Sequence, residues 1–192
     1  LLIGILLMAK QQKNLLFILM LCFILGGCDY LYSLLHKEGA QEKKLVGEVV
    51  PYKENENVEQ IQSLLKIYGY NPGKIDGFLG FRTRDAIKRF QEEQGLNPSR
   101  FVDEDTWNYL KVFKDNKFII DDKLNVSLVQ QALEKAGFRP GKIDGEWGKK
   151  TENAVKEFQK AHRLKVDGRV GYQTLLKLSE FVVIENKEVL KK

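Results

Sequence analysis

The residues best suited to bind a ligand lie in a loop motif that occurs twice, as Asp76-Gly77-x-x-Gly80-x-x-Thr83 and Asp144-Gly145-x-x-Gly148-x-x-Thr151. The glycines would let the backbone approach a ligand closely, because they carry no side chain. Basic residues near both copies can meet carboxylates through charge-assisted hydrogen bonds. These basic residues are Lys74, Arg82, Arg84, Lys142, Lys149 and Lys150. The residue types therefore favour non-covalent binding.

Catalytic arrangements find little support in the sequence. The two histidines, His36 and His162, lie in separate regions, which argues against a histidine-rich zinc site. Asp76 and Asp144 occupy equivalent positions of separate units and do not form a carboxylate pair across one cleft. No serine, cysteine or threonine nucleophile has a paired base, and the loops lack the ligand spacing of a calcium loop. We expect no enzyme activity, no metal and no cofactor.

Both loops belong to a repeated unit. Residues 73–91 return as residues 141–159 at a constant offset of 68 residues, without a gap. About 20 of 53 positions are identical between residues 58–110 and 126–178, hereafter unit 1 and unit 2. Two copies of one unit indicate one binding function carried out twice.

Each unit has the apolar spacing of three helices. In unit 1, one apolar stripe is Val58, Ile61, Leu65 and Tyr68, a second is Ala86, Ile87 and Phe90, and core residues Trp107 and Leu110 mark the third helix. Gly69 and Gly137 are placed to end the first helix of each unit. We therefore predict a mainly α fold of two tandem three-helix bundles, with short accessory strands after each unit at residues 118–120 and 181–184.

A second loop precedes the third helix and differs between the units. Unit 2 has Asp167-Gly168-x-x-Gly171-x-x-Thr174, whereas unit 1 has Ser99-Arg100-x-x-Asp103-x-x-Thr106. Asp103 can cap the helix, and Glu104 and Asp105 suit the positive end of its dipole. The helix start is kept although the loop has changed. We therefore assign a structural role to the second loop (residues 99–103 and 167–171) and ligand binding to the first loop (residues 76–80 and 144–148).

The shared pattern resembles the peptidoglycan-binding domain that accompanies cell-wall hydrolases: Q-x-x-L-x-x-x-G, then P-G-K-I-D-G-x-x-G-x-x-T, then A-(V/I)-x-x-F-Q, in this order in both units. The resemblance implies a three-helix fold without catalysis of its own and non-covalent binding to the bacterial cell wall. Ligand contacts are accordingly expected in and after the first loops. The positions are Lys74, Asp76, Gly77, Gly80, Arg84 and Gln91 in unit 1, and Lys142, Asp144, Gly145, Trp147, Gly148 and Gln159 in unit 2.

Several of these residues also have structural interpretations. Asp76 and Asp144 are expected to hydrogen-bond the backbone of their own loops rather than a ligand. Trp147 is expected to fill the bundle rather than to stack on a sugar. Gln91 and Gln159 either present amides at a cleft or lie on a solvated helix face, and the sequence leaves both open. The basic residues near the loops are typical of a solvated surface.

The N-terminus has the pattern of an export signal. Met8 is the expected start, and a short basic segment is followed by an apolar run at residues 15–25 that is too short to span a bilayer. The run ends Leu25-Gly26-Gly27-Cys28, which resembles the lipobox of bacterial lipoproteins. We predict a signal peptide over residues 1–27 and a lipid on Cys28 that anchors the chain to a membrane. The alternative is an uncleaved signal anchor.

The remaining segments connect the units. Residues 28–57 are predicted to be a lipidated N-terminus and tether, residues 111–125 a connector and residues 179–192 a tail. The net charge of +5 permits binding to a polyanion, but an exported chain would not meet DNA, so no nucleic-acid partner is expected. We expect an envelope protein, facing the periplasm or cell wall, that binds peptidoglycan and can hold a cell-wall hydrolase near it. The alternative is a protein-interaction scaffold that recruits a wall hydrolase or a secretion component.

Overall fold

The computed structural model describes residues 37–47 and 54–182. Its helices are α1 (Lys37–Val46), α2 (Glu56–Ile67), α3 (Phe81–Glu93), α4 (Glu104–Asp115), α5 (Val126–Lys135), α6 (Lys149–Ala161) and α7 (Tyr172–Ser179). Helices α2–α4 form unit 1, and α5–α7 form unit 2. The prediction of a mainly α fold with two three-helix units is confirmed.

A two-stranded sheet lies between the units. Strand β1 (Ile119–Ile120) pairs antiparallel with β2 (Lys123–Leu124). Asp121 and Asp122 between them both have positive φ, 49° and 53°, as a tight hairpin turn requires. The strand predicted after unit 1 is therefore present, with a partner in the connector itself. Phe181 and Val182 are not in a strand, and residues 183–184 lie outside the described residues.

The helices form because their apolar residues recur on one face. Val58, Ile61 and Leu65 of α2 are fully buried, as are Ile87 and Phe90 of α3, so both predicted stripes face the core. In unit 2 the corresponding buried residues are Val129, Leu133, Ala154, Val155 and Phe158.

Helix termini also follow the prediction. The Asp103 side chain caps α4 by accepting a hydrogen bond from the backbone N–H of Thr106 at 2.8 Å. Gly69 and Gly137 follow the last residues of α2 and α5 closely and have φ of +97° and +89°, a conformation that glycine adopts without strain.

The two units share one apolar core. The ring of Tyr172, at the start of α7, packs edge to face against the rings of Tyr68, Phe90 and Phe113, with centroids 5.1, 5.3 and 5.1 Å away. A Cβ atom added at Gly171 would lie 2.9 Å from the Tyr68 carbonyl oxygen, so a side chain there would separate the two backbones. Unit 2 is therefore packed directly on unit 1 through its third helix.

The segment predicted to be a tether contains a helix that packs on unit 1. Val46, at the end of α1, lies in the core, and Glu42 is buried. No sustained apolar periodicity is visible there because α1 has only ten residues and, of its buried positions Gly39, Glu42 and Val46, only Val46 is a large apolar residue. Cys28 and the whole predicted signal peptide lie outside the described residues. Within residues 37–47 and 54–182, every helix is too short or too polar to span a membrane.

Candidate functional site

A buried glutamine of α2 holds the first loop of unit 1. Gln62 Nε2 donates hydrogen bonds to Asp76 Oδ1 (3.0 Å) and to the Phe78 carbonyl oxygen (2.9 Å). Gln62 Oε1 accepts from the backbone N–H groups of Asp76 (2.9 Å) and Gly77 (3.0 Å). Thr83, in the first turn of α3, supplies another acceptor at 3.1 Å. One amide side chain therefore joins α2, the loop and α3.

Unit 2 repeats this arrangement around Gln130 of α5. Its Nε2 donates to Asp144 Oδ1 (3.1 Å), to the Glu146 carbonyl oxygen (3.1 Å) and to Thr151 Oγ1 (3.3 Å). Its Oε1 accepts from the backbone N–H groups of Asp144 (3.2 Å) and Gly145 (2.9 Å). The polar groups that hold the loop are thus satisfied within the protein before any ligand arrives.

The second loop of unit 2 is held in the same way by Gln159 of α6. Its Nε2 donates to Asp167 Oδ1 (3.1 Å) and to the Arg169 carbonyl oxygen (2.8 Å). Its Oε1 accepts from the N–H groups of Asp167 (3.1 Å) and Gly168 (2.9 Å). The structural role predicted for this loop agrees with these contacts.

The altered second loop of unit 1 is also held by a buried glutamine, Gln91, although the loop residues that bond it are different. Gln91 Nε2 donates to Ser99 Oγ (3.2 Å) and to the Phe101 carbonyl oxygen (2.7 Å), and Gln91 Oε1 accepts from the Arg100 N–H (3.0 Å). Ser99 takes the place of the aspartate, and Arg100 adopts the glycine conformation at φ +70°. The motif therefore tolerates side-chain change as long as the glutamine keeps its partners.

Gln91 and Gln159 are buried, with 0% and 1% of their surface exposed. Neither interpretation left open by the sequence is correct, because the two side chains lie neither at an open cleft nor on a solvated helix face. Their amides are used to hold the second loops. Direct contact between either amide and a wall polymer would require the loop to open.

Asp76 and Asp144 hold their own loops, as the structural interpretation predicted. Besides the glutamine, each Oδ1 accepts the backbone N–H two residues later, at 3.2 Å from Phe78 and 2.9 Å from Glu146. The hydrogen bond from Glu146 N–H, followed by the one from Gln130, lowers the pKa of the Asp144 carboxyl below its usual range.

Arg84 is buried as well and does not face solvent. Its Nη1 donates to Glu42 Oε1 at 2.6 Å, and the two side chains are 4% and 3% exposed. The corresponding residue of unit 2 is Glu152, which pairs with Lys156 on its own helix. The structure does not support the expectation that Arg84 binds a ligand carboxylate, because Arg84 is already paired with the Glu42 carboxylate of α1.

The first loop of unit 2 has an exposed apolar surface. Trp147 is 40% exposed and Ile143 is 36% exposed. The interpretation that Trp147 fills the bundle is wrong, although its counterpart Leu79 in unit 1 does pack against the core. Gly148 is exposed, and a Cβ added to it would meet no atom within 4 Å. Ile143 was not among the predicted contacts. It could have been found from the sequence, because it is apolar, lies outside the helical stripes and is identical to Ile75 of unit 1.

Charge is distributed unevenly between the units. Unit 2 contains eleven Lys and Arg residues against six Asp and Glu, whereas unit 1 contains seven against eight. Lys142, Lys149 and Lys150 are all exposed around the first loop of unit 2.

Within the described part of the chain, no group of three or more His, Cys, Asp or Glu residues is placed to hold a metal ion.

In unit 1, the predicted positions are less open. Lys74 and Gly80 are exposed and Asp76 is half-buried, but Gly77 is buried. A Cβ added at Gly77 would lie 2.6 Å from the backbone nitrogen of Asn55. At Gly145, the nearest atom to the added Cβ would be Ser127 Oγ at 3.3 Å.

Two helical units, each with two loops held by buried glutamines and each with exposed apolar and basic residues at its first loop, define a tandem binding module. The chain belongs to the family described as "Putative peptidoglycan binding domain", whose model matches residues 54–110 and 122–178. One copy of the domain corresponds to each unit, and the resemblance found in the sequence is confirmed.

The relatives include two N-acetylmuramoyl-L-alanine amidases. The chain is 32% identical over 131 residues to N-acetylmuramoyl-L-alanine amidase CwlL of Bacillus licheniformis, covering 65% of this chain and 35% of that protein. It is 36% identical over 127 residues to the uncharacterized protein YbfG of Bacillus subtilis, covering 61% and 17%. It is 29% identical over 105 residues to N-acetylmuramoyl-L-alanine amidase CwlM of Mycobacterium tuberculosis, covering 48% and 25%. The matches thus span about a third or less of each relative, and no solved structure matches significantly.

Proposed function

We propose that this chain is a noncatalytic protein of the cell envelope that binds peptidoglycan through the first loop of unit 2 and is anchored to a membrane by lipid on Cys28. The family match over both units carries the binding proposal. The first loop of unit 2 supports it, because Trp147 and Ile143 are exposed there while Gln130, which holds the loop, is buried. The loop framework is preorganised, so little conformational entropy is lost when a ligand binds.

The exposed side chains suit the chemistry of peptidoglycan. Its sugar rings have apolar faces that can lie on Trp147 and Ile143, and its stem peptides carry carboxylates that can accept charge-assisted hydrogen bonds from Lys142 and Lys149. The open space beside Gly148 lets a bulky polymer approach the backbone.

The same loop is poorly suited to catalysis. Asp144 has a lowered pKa, so it remains ionised near neutral pH and is a poor proton donor. Its Oδ1 already accepts hydrogen bonds from Gln130 and from the Glu146 backbone. These contacts support a binding role for the loop.

Sedimentation with purified sacculi tests the binding proposal. Residues 29–192, which retain every described element, should pellet with sacculi, and Trp147→Ala should weaken binding at least about tenfold because a central aromatic contact is lost. Phe81→Ala is the matched control, since Phe81 is an aromatic residue of unit 1 that is 70% exposed. Equal loss in both variants would refute the role of Trp147. Failure of the unmodified chain to pellet would favour the scaffold alternative.

The anchor needs a separate test, because it rests on residues 25–28 alone. If the signal peptide is still removed, Cys28→Ala should move the chain from the membrane fraction to the soluble fraction, because the variant has no cysteine to carry the lipid. Mass spectrometry of the mature N-terminus should show acyl chains on Cys28. An unmodified cysteine in a membrane-bound chain would support the signal-anchor alternative instead.

A further inference from the structure

We infer that the segment before unit 1, residues 42–47 together with residues 54–57, packs against the Gly77 side of the first loop and against the second loop of unit 1, and thereby keeps that unit from binding the polymer. The inference rests on the proposed function and concerns which of the two units performs it. It follows from contacts that unit 1 makes and unit 2 does not.

The first loop of unit 1 lies against the backbone of residues 54–55. Asn55 N–H donates to the Gly77 carbonyl oxygen at 3.2 Å. An added Cβ at Gly77 would lie 2.6 Å from Asn55 N and 3.1 Å from Glu54 Cα. No space for a ligand group therefore remains on this side of Gly77. At the equivalent Gly145, only the Ser127 hydroxyl lies within 4 Å of the added Cβ.

The second loop of unit 1 is covered by Glu42 of α1. The Glu42 Oε1 atom accepts from Arg84 Nη1 at 2.6 Å and from the Val102 N–H at 2.9 Å. Arg84 also donates to the Arg100 carbonyl oxygen at 3.1 Å and lies over the Phe101 ring, 4.7 Å from its centroid. The carboxylate of α1 thus occupies the place where a carboxylate of a ligand would have met Arg84.

The two covering pieces are held together at the end of α1. Asn55 Nδ2 and Asn57 Nδ2 both donate to the Val46 carbonyl oxygen, at 3.1 and 3.0 Å. Val46 itself is buried in the core. The asparagine that caps α2 therefore also fixes α1, and the segment behaves as one cover over both loops.

Unit 2 lacks the arginine that binds Glu42 in unit 1. Where unit 1 has Arg84, unit 2 has Glu152, whose pairing partner Lys156 lies one turn later in α6. A polymer can therefore reach the first loop of unit 2 from the Gly145 side without rearrangement, but it can reach that of unit 1 from the Gly77 side only after residues 54–55 move, although Gly80 and Phe81 are exposed, as Gly148 and Lys149 are. The folded chain then has one binding surface, and duplication of the unit gives no avidity.

Two lysines at equivalent, exposed positions give a matched test. In residues 29–192, Lys142→Glu should weaken sedimentation with sacculi at least about tenfold, whereas Lys74→Glu should leave it within about twofold. Equal weakening by both would overturn the inference and leave the proposed function intact. If the unmodified chain pellets but neither substitution weakens it, the first loops are not the binding surface and the inference fails.

Amide chemical shifts give a second measurement that needs no substitution. Soluble fragments released from purified peptidoglycan should shift the amide signals of Gly145 and Gly148 of the unmodified chain, and leave those of Gly77 and Gly80 unchanged. Shifts of similar size in both pairs would overturn the inference. Absence of any shift, together with absence of sedimentation, would refute the proposed function and the inference with it.

Discussion

Replacing Gln130 by glutamate tests whether a buried amide holds the first loop of unit 2. The substitution keeps the shape of the side chain and removes its two N–H hydrogens. Those hydrogens are shared among three acceptors, one of which is the Asp144 carboxylate at 3.1 Å. The introduced carboxylate would have no hydrogen to donate and would lie close to the negative charge of Asp144.

The expected loss of stability follows from these contacts. A neutral hydrogen bond contributes about 1 kcal/mol net and one to a charged group about 1.5–3 kcal/mol, so removing one of each costs about 3 kcal/mol. Repulsion from Asp144 and burial of the introduced charge, at a position 1% exposed, increase the loss to about 4 kcal/mol near neutral pH. With a urea dependence of about 2 kcal/mol per molar, the unfolding midpoint should fall by about 2 M.

Acidification should reverse part of this loss. Burial and the nearby carboxylate raise the pKa of the introduced carboxyl above its usual value of about 4.3. Below that raised pKa the group is protonated and donates one hydrogen bond again. The loss should therefore be full at about pH 7.5 and smaller at about pH 5, where Asp144 with its lowered pKa is still ionised.

Gln131→Glu is the matched control, because Gln131 is the exposed neighbour on the same helix and the charge change is identical. Urea unfolding of both variants at the two pH values completes the test. The reasoning would be refuted if the two variants differed by less than about 0.5 kcal/mol at neutral pH. It would also fail if the loss in Gln130→Glu were the same at both pH values.

Three further predictions use the same chain. Gly77→Ala and Gly145→Ala should each cost about 1–2 kcal/mol because of their positive φ, with the larger loss at Gly77, where the new Cβ also meets Asn55; equal urea midpoints would contradict this. Tyr172→Ala should remove about 3–5 kcal/mol and separate unfolding into two calorimetric transitions, since Tyr172 joins the units; one unshifted transition would count against it. The Asp144 carboxyl should titrate by NMR below about pH 3.9. Because its folded pKa is the lower one, its stabilising contribution is full above the unfolded value and is lost as pH falls through the folded value; a midpoint at or above the usual value would contradict this.

The helical part of the fold could be predicted because its signals are local and occur twice. Apolar residues recur at spacings of three and four, and glycines follow the predicted helix ends. The contact between the units could not be read from the repeat, because it depends on residues that differ between the copies. Tyr68 corresponds to Ala136, and Tyr172 corresponds to Glu104. Aromatic residues present in only one copy were the available signal.

Gln91 and Gln159 were misassigned, and Gln62 and Gln130 were given no role, because the partners of all four are distant in sequence. Gln62 and Gln130 bond a threonine 21 residues later, and Gln91 and Gln159 bond one 15 residues later. Helical periodicity reports only which face a residue shares with its neighbours, so it places a glutamine at the edge of an apolar stripe without showing its partner. The constant spacing between glutamine and threonine in both units was the signal that could have revealed it.

Identity between the two units marks the framework of the loops more than their ligand contacts. The aspartate, the glycine that follows it, the glutamine and the threonine of the first loop each have a structural partner in both units. They would be required even in a unit that binds nothing. Of the proposed contact residues, Lys142 and Ile143 are identical in unit 1, whereas Trp147 and Lys149 are replaced there by Leu79 and Phe81. If the backbone at Asn55 blocks unit 1 as proposed, transferring the Trp147 and Lys149 side chains to Leu79 and Phe81 should not create a second binding surface, because Asn55 N–H would remain bonded to the Gly77 carbonyl oxygen.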